Sequence, residues 1–303
     1  MRFAFVFLLI AAIATAEPRV DNVLVKMVPP GTTSLVGAHM DSIRNTELFR
    51  KLVEARKLPQ VDQFARDTHF DPRRDVKELL FANTASGGVV LARGTFRVNP
   101  EPLKDITVIR HGEYVIRGSA AAGFCILDST LAVAGDMASV TAALDEWKSG
   151  GHTAAQPLLA HARQVNPQSQ FWGVSIGFAG FLANHMPHLS SGIDFSKIFR
   201  GLDDTWFEAD LTGNFKGQIH GTAATEQDAI NLRDTAKGLI GFGRLSVPEN
   251  QPELLKLWDG FAVEQQGRQV TIRADIPTAQ IDRLVQMFAT SAAPGRGRGS
   301  AQE

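Results

Sequence analysis

Residues 173–177, GVSIG, match the G-x-S-x-G motif in which a serine serves as a nucleophile. An apolar run that predicts a strand precedes this serine, and a pattern that predicts a helix follows it at 178–186, as the motif requires. The chemistry also needs a histidine base and an acid that orients the histidine. His220, with Asp204 or Asp210, would supply both in the chain order Ser, Asp, His. Ser175 is therefore the candidate nucleophile of a serine hydrolase.

Two features of the sequence argue against this hydrolase. No glycine-rich oxyanion segment precedes Ser175. The strands predicted after it form a hairpin at Gly213-Asn214, whereas a hydrolase of this kind requires strands and helices that alternate in a parallel sheet. Short patterns of this kind also arise by chance. We therefore take a non-enzymatic binding or envelope-associated protein as the leading hypothesis and serine hydrolysis as the alternative.

His185 and His188 stand three residues apart, a spacing at which two imidazoles share a metal ion on a helix. Pro187 lies between them and disrupts that helix. A zinc site takes three or four protein ligands, and no third ligand forms a recognisable spacing with this pair. We expect no metal site. The sequence also contains no motif for a nucleotide, haem, flavin or pyridoxal cofactor.

A group of acidic residues surrounds Trp206, an arrangement that resembles the paired carboxylates of glycoside hydrolases: Asp203, Asp204, Glu208 and Asp210. Polar and apolar residues alternate over 206–211, which places Glu208 and Asp210 on one face of a strand and Phe207 and Ala209 on the other. The pattern therefore predicts a half-exposed strand with a solvated acidic face.

The first residues predict export. Arg2, an apolar stretch at 3–13 and the small-residue site AxA at 14–16 form a cleavable secretory signal peptide over residues 1–16. The apolar stretch is shorter than the roughly 20 residues that a membrane-spanning helix needs. We expect a soluble, periplasmic or extracellular protein with no transmembrane segment after cleavage.

Composition narrows the classes of partner. A net charge of -1 and a pI near 6.7 argue against nucleic acid or an anionic surface as the partner. The single cysteine, Cys125, excludes an intramolecular disulfide, and its apolar neighbours predict a buried, unreactive thiol. The partner is expected to be a protein or a small molecule whose identity the sequence does not give.

Paired β-rich runs meet at short polar or glycine turns, at Ser86-Gly87, His111-Gly112, Asp128-Ser129, Gly213-Asn214 and Gln266-Gly267. Helices are predicted from Asp136, from Glu226 and after Pro277. Both halves follow the order strand, helices, hairpin, hairpin, helix. We predict an α+β fold with an internal duplication: similar tandem units at 17–150 and 151–289, each a mostly antiparallel sheet with helices on one face, and a flexible tail at 290–303.

Several segments resemble a family of exported bacterial proteins of unknown function that is common in acidobacteria. They are FDPRRDV at 70–76, LLFA at 79–82, VVLARG at 89–94, GLIGFGRL at 238–245 and NQPELL at 250–255. The resemblance spans most of the mature chain. It implies a bacterial source and a periplasmic or extracellular location, and it brings no established activity.

Overall fold

A computed structural model of the 303-residue chain describes residues 21–55, 62–63, 65–66, 71–84, 87–96, 107–151, 156–166, 168–177, 202–249 and 252–280. The predicted signal peptide at 1–16, the predicted tail at 290–303 and the pair His185 and His188 lie outside the described residues.

Twelve antiparallel strands of the described residues form one sheet. In chain order they are β1 (Thr32–His39), β2 (Val76–Thr84), β3 (Gly87–Gly94), β4 (Thr107–His111), β5 (Tyr114–Gly118), β6 (Ala122–Ile126), β7 (Leu131–Asp136), β8 (Phe171–Ile176), β9 (Leu202–Asp210), β10 (Phe215–Ala223), β11 (Phe261–Gln266) and β12 (Gln269–Ile276). Across the sheet the order is β11-β12-β10-β9-β8-β1-β2-β3-β7-β6-β5-β4.

This single sheet corrects the predicted fold of two tandem sheet-and-helix units. β1, from the first half of the chain, pairs antiparallel with β8, from the second half, between Ser34 opposite Ser175 and Ala38 opposite Phe171. Separate sheets would leave one edge of β1 and one edge of β8 without backbone partners, and a strand edge of this kind is prone to pair. Pairing the two edges joins the halves into one sheet.

Close contacts between glycines and aromatic rings fill the centre of the sheet. The ring of the buried Trp172 lies so close to Gly37 that a Cβ atom there would meet the ring at 2.2 Å. On the other side of the sheet, the ring of Phe207 lies over Gly173 in the same way, also at 2.2 Å. The β1–β8 junction therefore depends on strand positions that carry no side chain.

The five predicted hairpins are confirmed: β2–β3, β4–β5, β6–β7, β9–β10 and β11–β12. Three predicted turns are shifted by a residue, because Gly87 begins β3, His111 ends β4 and Gln266 ends β11. Gly112 has a φ of +58°, a left-handed conformation that glycine adopts readily in a tight turn.

The helices of the described residues are mostly short: α1 (Asn22–Val25), α2 (Met40–Arg44), α3 (Glu47–Ala55), α4 (Pro72–Asp75), α5 (Met137–Ser149), α6 (Gln156–Ala162), α7 (Glu226–Leu245) and α8 (Leu255–Asp259), with a 3-10 turn at Pro252–Leu254. The helices predicted from Asp136 and Glu226 are α5 and α7. Asp136 caps α5 by accepting a hydrogen bond from the Ser139 amide at 2.9 Å. Within the described part of the chain, we find no helix of the length and apolarity needed to span a membrane.

Alternation along the strands defines two faces of the sheet. We call the side that carries Leu35, Leu91 and Trp172 the front face and the side that carries Phe207 and Val270 the back face. Helices α1, α5 and α6 pack on the front face of the strands from β8 to β5, where the main core lies. Helix α7 packs instead on the back face of β10, β11 and β12. The longest described helices of the two halves, α5 and α7, thus lie on opposite faces of the sheet.

Candidate functional site

Ser175 lies inside a strand and not at a sharp turn. It stands in β8 directly between Ser34 of β1 and Thr205 of β9, and its side chain is 4% exposed on the back face. Its hydroxyl donates a long hydrogen bond of 3.4 Å to the Thr33 carbonyl. The serine is therefore neither presented to solvent nor close to a histidine in the described part of β8, β1 or β9.

The other two members of the predicted triad lie elsewhere. His220 stands in β10 opposite Trp206, one residue away from the position that continues the Ser175 row, so its side chain lies on the front face. Asp210 is also on the front face, four residues along β9 from Trp206, where it accepts hydrogen bonds from the Thr212 amide and hydroxyl. The structure does not bring Ser175, His220 and Asp210 together.

Ser175 belongs to a row of hydroxyls that no pattern in the sequence indicates. Ser34, Ser175 and Thr205 are adjacent across three strands, and Ser34 and Thr205 are each 2% exposed. Neither the Ser34 nor the Thr205 hydroxyl has a hydrogen-bond partner in the described part of the chain. A buried hydroxyl without a partner costs free energy on folding. No local signal reveals the row, because its members are 141 and 30 residues apart in sequence.

Polar side chains gather on the front face of the second half of the sheet. We call this surface the polar front face and define it by six residues of β9, β10 and β12: Trp206, Glu208, Gln218, His220, Thr271 and Arg273. They form two rows that run across the strands, about 7 Å apart along them. Since helix α7 packs on the opposite side of these strands, their front side chains are free to be polar.

The first row runs from Trp206 through His220 to Thr271. The indole and imidazole rings are stacked, with centroids 5.1 Å apart and planes inclined by 18°. His220 Nδ1 lies 2.9 Å from the Thr271 hydroxyl oxygen. The indole N–H of Trp206 is buried and has no hydrogen-bond partner among the described residues. Cross-strand pairing therefore builds an aromatic platform that ends in a hydroxyl.

The second row runs from Glu208 through Gln218 to Arg273. The Gln218 amide donates to one oxygen of Glu208 at 2.5 Å, and the Asn166 backbone N–H donates to the other oxygen. Arg273 is half-exposed and donates to Glu264 of β11 at 2.7 Å. Both charged groups of this row, Glu208 and Arg273, are thus already hydrogen-bonded to other protein groups.

Electrostatics keeps the centre of this surface uncharged. Burial lowers the pKa of His220 below its usual range, and the nearby Arg273 lowers the pKa further. The imidazole is therefore neutral at physiological pH, with one ring nitrogen as donor and one as acceptor. At the end of β9, the Thr212 hydroxyl bonded to Asp210 holds the pKa of that carboxyl below its usual range, against the effect of burial.

The described residues contain no group of three or more histidine, cysteine or acidic side chains that could hold a metal ion. Cys125 is 1% exposed, and burial raises the pKa of its thiol. The thiol is therefore protonated at neutral pH and is a weak nucleophile.

No family model matches the chain, and no curated protein matches it. Comparison with solved structures does give a match. The fold resembles that of TP0453. Crystal form III of TP0453 matches with a TM-score of 0.54 at 9% identity, covering 89% of this chain and 98% of TP0453. Crystal form IV of TP0453 matches with a TM-score of 0.50 at 8% identity, covering 88% and 96%. At these identities, TP0453 shares the fold with this chain, and the likeness extends over nearly all of TP0453.

Proposed function

We propose that the protein is an exported, non-catalytic binding protein of a bacterial envelope and that its ligand site is the polar front face. The observation that carries this proposal is the separation of Ser175 and His220 on opposite faces of the sheet. A serine and its base must lie within hydrogen-bond distance of each other, and no small side-chain rotation moves a residue through a sheet. The exposed polar groups lie on the side without the serine.

Export and the bacterial source are supported by the sequence. The signal peptide pattern at 1–16 and the segments shared with the exported acidobacterial family both favour a periplasmic or extracellular location. An internal duplication within the single sheet is supported by strand order. Outward from β1 the strands are β2, β3, β7 and β6, and outward from β8 they are β9, β10, β12 and β11. The boundary near residue 150 and the units at 17–150 and 151–289 stay predictions.

The test of the non-catalytic assignment is labelling with a fluorophosphonate probe, which reacts with activated serines. We expect the purified chain to label no more strongly than its Ser175→Ala variant, because the Ser175 hydroxyl is buried and has no base beside it in the described part of the chain. A serine hydrolase treated in parallel shows that the probe is active, and Ser34→Ala serves as the matched variant in the same row. Labelling that disappears in both Ser175→Ala and His220→Ala would establish the hydrolase and refute the proposal.

A further inference from the structure

The polar front face offers both hydrogen-bond donors and hydrogen-bond acceptors, and they belong to flat side-chain groups. Glu208 accepts, Arg273 donates, and Gln218 and His220 do both. Direct cross-strand pairing fixes the spacing of these groups at about 5 Å between neighbouring strands. A ligand that suits the surface therefore carries closely spaced groups that donate and accept in turn. Hydroxyl groups on a ring have this property, since each one is both donor and acceptor.

Charge on the surrounding front face disfavours an anionic ligand. The front face of β9, β10, β11 and β12 carries five carboxylates and two basic side chains: Asp204, Glu208, Asp210, Glu264, Asp275, Lys216 and Arg273. A phosphate or a nucleic acid would meet a net negative field here.

A cationic ligand is disfavoured for a different reason. Each of the five carboxylates already has a neighbour. Both oxygens of Glu208 are hydrogen-bonded, Glu264 is paired with Arg273, and Asp210 is bonded to Thr212. Asp204 lies 3.9 Å from His161 Nε2, and Asp275 accepts a hydrogen bond from Asn214 at 3.2 Å. A cation would have to break one of these arrangements before it gained a partner, which costs much of what the new ion pair would contribute at an exposed site. A ligand without charge can use the remaining lone pairs and N–H groups without displacing anything.

The aromatic pair supplies the apolar part of the surface. Trp206 and His220 stack with nearly parallel rings, and the edge of the pair lies beside the polar row of Glu208 and Gln218. Both rings are only partly buried, so the outer part of the pair is open to a ligand. An aromatic body with a polar handle is suited to a ligand that is apolar on one side and hydroxylated on its rim.

From these contacts we propose that the polar front face binds a neutral oligosaccharide. The inference rests on the proposed function and names the ligand class of the same surface. The sugar rings lie against the Trp206–His220 pair, and their hydroxyls exchange hydrogen bonds with Glu208, Gln218 and Arg273. No bond is made or broken, so the protein binds the chain without hydrolysing it.

The test is isothermal titration calorimetry of the purified full chain with hexasaccharides of glucose, N-acetylglucosamine and xylose. We expect at least one of them to bind, and we expect His220→Ala and Gln218→Ala each to weaken that binding tenfold or more. Matched controls are His111→Ala, on the hairpin at the far edge of the sheet, and Gln227→Ala, at the start of α7. Neither control should change the affinity, and thermal melts by circular dichroism show that all four variants are folded.

Absence of binding by all three sugars overturns the inference, and so does a loss of affinity in the controls equal to that in the site variants. A decalysine peptide is the second probe. If it binds and the sugars do not, and if His220→Ala and Gln218→Ala abolish that binding, the sugar class is wrong while the polar front face remains a binding site. Failure of the proposed function shows separately, as serine-dependent labelling by the fluorophosphonate probe.

Discussion

Replacing Gly37 by alanine is expected to destabilise the protein by about 3 kcal/mol, which is the upper part of the range for overpacking a core. The added Cβ would stand 2.2 Å from the ring of Trp172, which is 1% exposed and cannot move without shifting its neighbours. Both residues belong to the pair of strands that joins the two halves of the sheet. Urea unfolding followed by circular dichroism measures the loss.

The matched control for Gly37→Ala is Gly213→Ala. Gly213 has no atom within 4 Å of the position of its Cβ, so the same chemical change should alter stability by less than about 0.5 kcal/mol. If Gly37→Ala does not fold, the stability of the double variant Gly37→Ala with Trp172→Leu is compared with that of Trp172→Leu. The double variant should be as stable as Trp172→Leu alone, because the smaller side chain at 172 removes the clash with the added Cβ. Equal losses at Gly37 and Gly213 would contradict the packing described for the β1–β8 junction.

Replacing Thr205 by valine is expected to stabilise the protein by about 1–2 kcal/mol, because it removes a buried hydroxyl that has no hydrogen-bond partner among the described residues. Valine has the shape of threonine and no polar atom, and the Thr205 side chain is 2% exposed. Most core substitutions destabilise, so a gain would be diagnostic. Urea unfolding again provides the measurement.

Thr32 supplies the control for this second prediction. It is also a buried strand threonine, but its hydroxyl donates to the Pro29 carbonyl at 2.7 Å. Thr32→Val should therefore lower stability by about 1 kcal/mol, the contribution of one hydrogen bond. If Thr205→Val lowers stability as well, the Thr205 hydroxyl has a hydrogen-bond partner, which would contradict this account.

Local patterns in the sequence predict the strands and hairpins well, because alternation and turn residues act over a few positions. The acids Glu208 and Asp210 lie on the opposite face of β9 from Phe207 and Ala209, as the alternation indicated. Asp136 caps α5 as predicted, and Gly150 ends that helix with a φ of +88°. Each of these features depends on residues that are neighbours in sequence.

The predicted fold class failed where distant strands meet. Nothing in the alternation of β1 or β8 indicates that these strands, more than 130 residues apart, pair with each other. The same limit applies to the candidate sites. The motif at 173–177 predicted a sharp turn at Ser175, where the structure has a strand, and the motif could not show which face of a sheet His220 would occupy. The stacking of Trp206 on His220 likewise arises from a register that only the folded sheet shows.

The pairing of β1 with β8 is the claim on which the two faces, the separation of Ser175 from His220 and the polar front face all depend. A disulfide between Ser34→Cys and Ser175→Cys tests it directly, in a Cys125→Ala background that leaves no other thiol. Directly opposed strand residues have Cα atoms about 4.5–5.5 Å apart, which is within the range that a disulfide spans.

We predict that peptide mapping by mass spectrometry finds this disulfide within single molecules after mild oxidation of the folded protein. The control pair, Ser34→Cys with Ile176→Cys, should stay reduced, because Ile176 is on the other face of the sheet. A folded double variant that forms no 34–175 disulfide, or that forms the control disulfide equally well, would contradict the single continuous sheet.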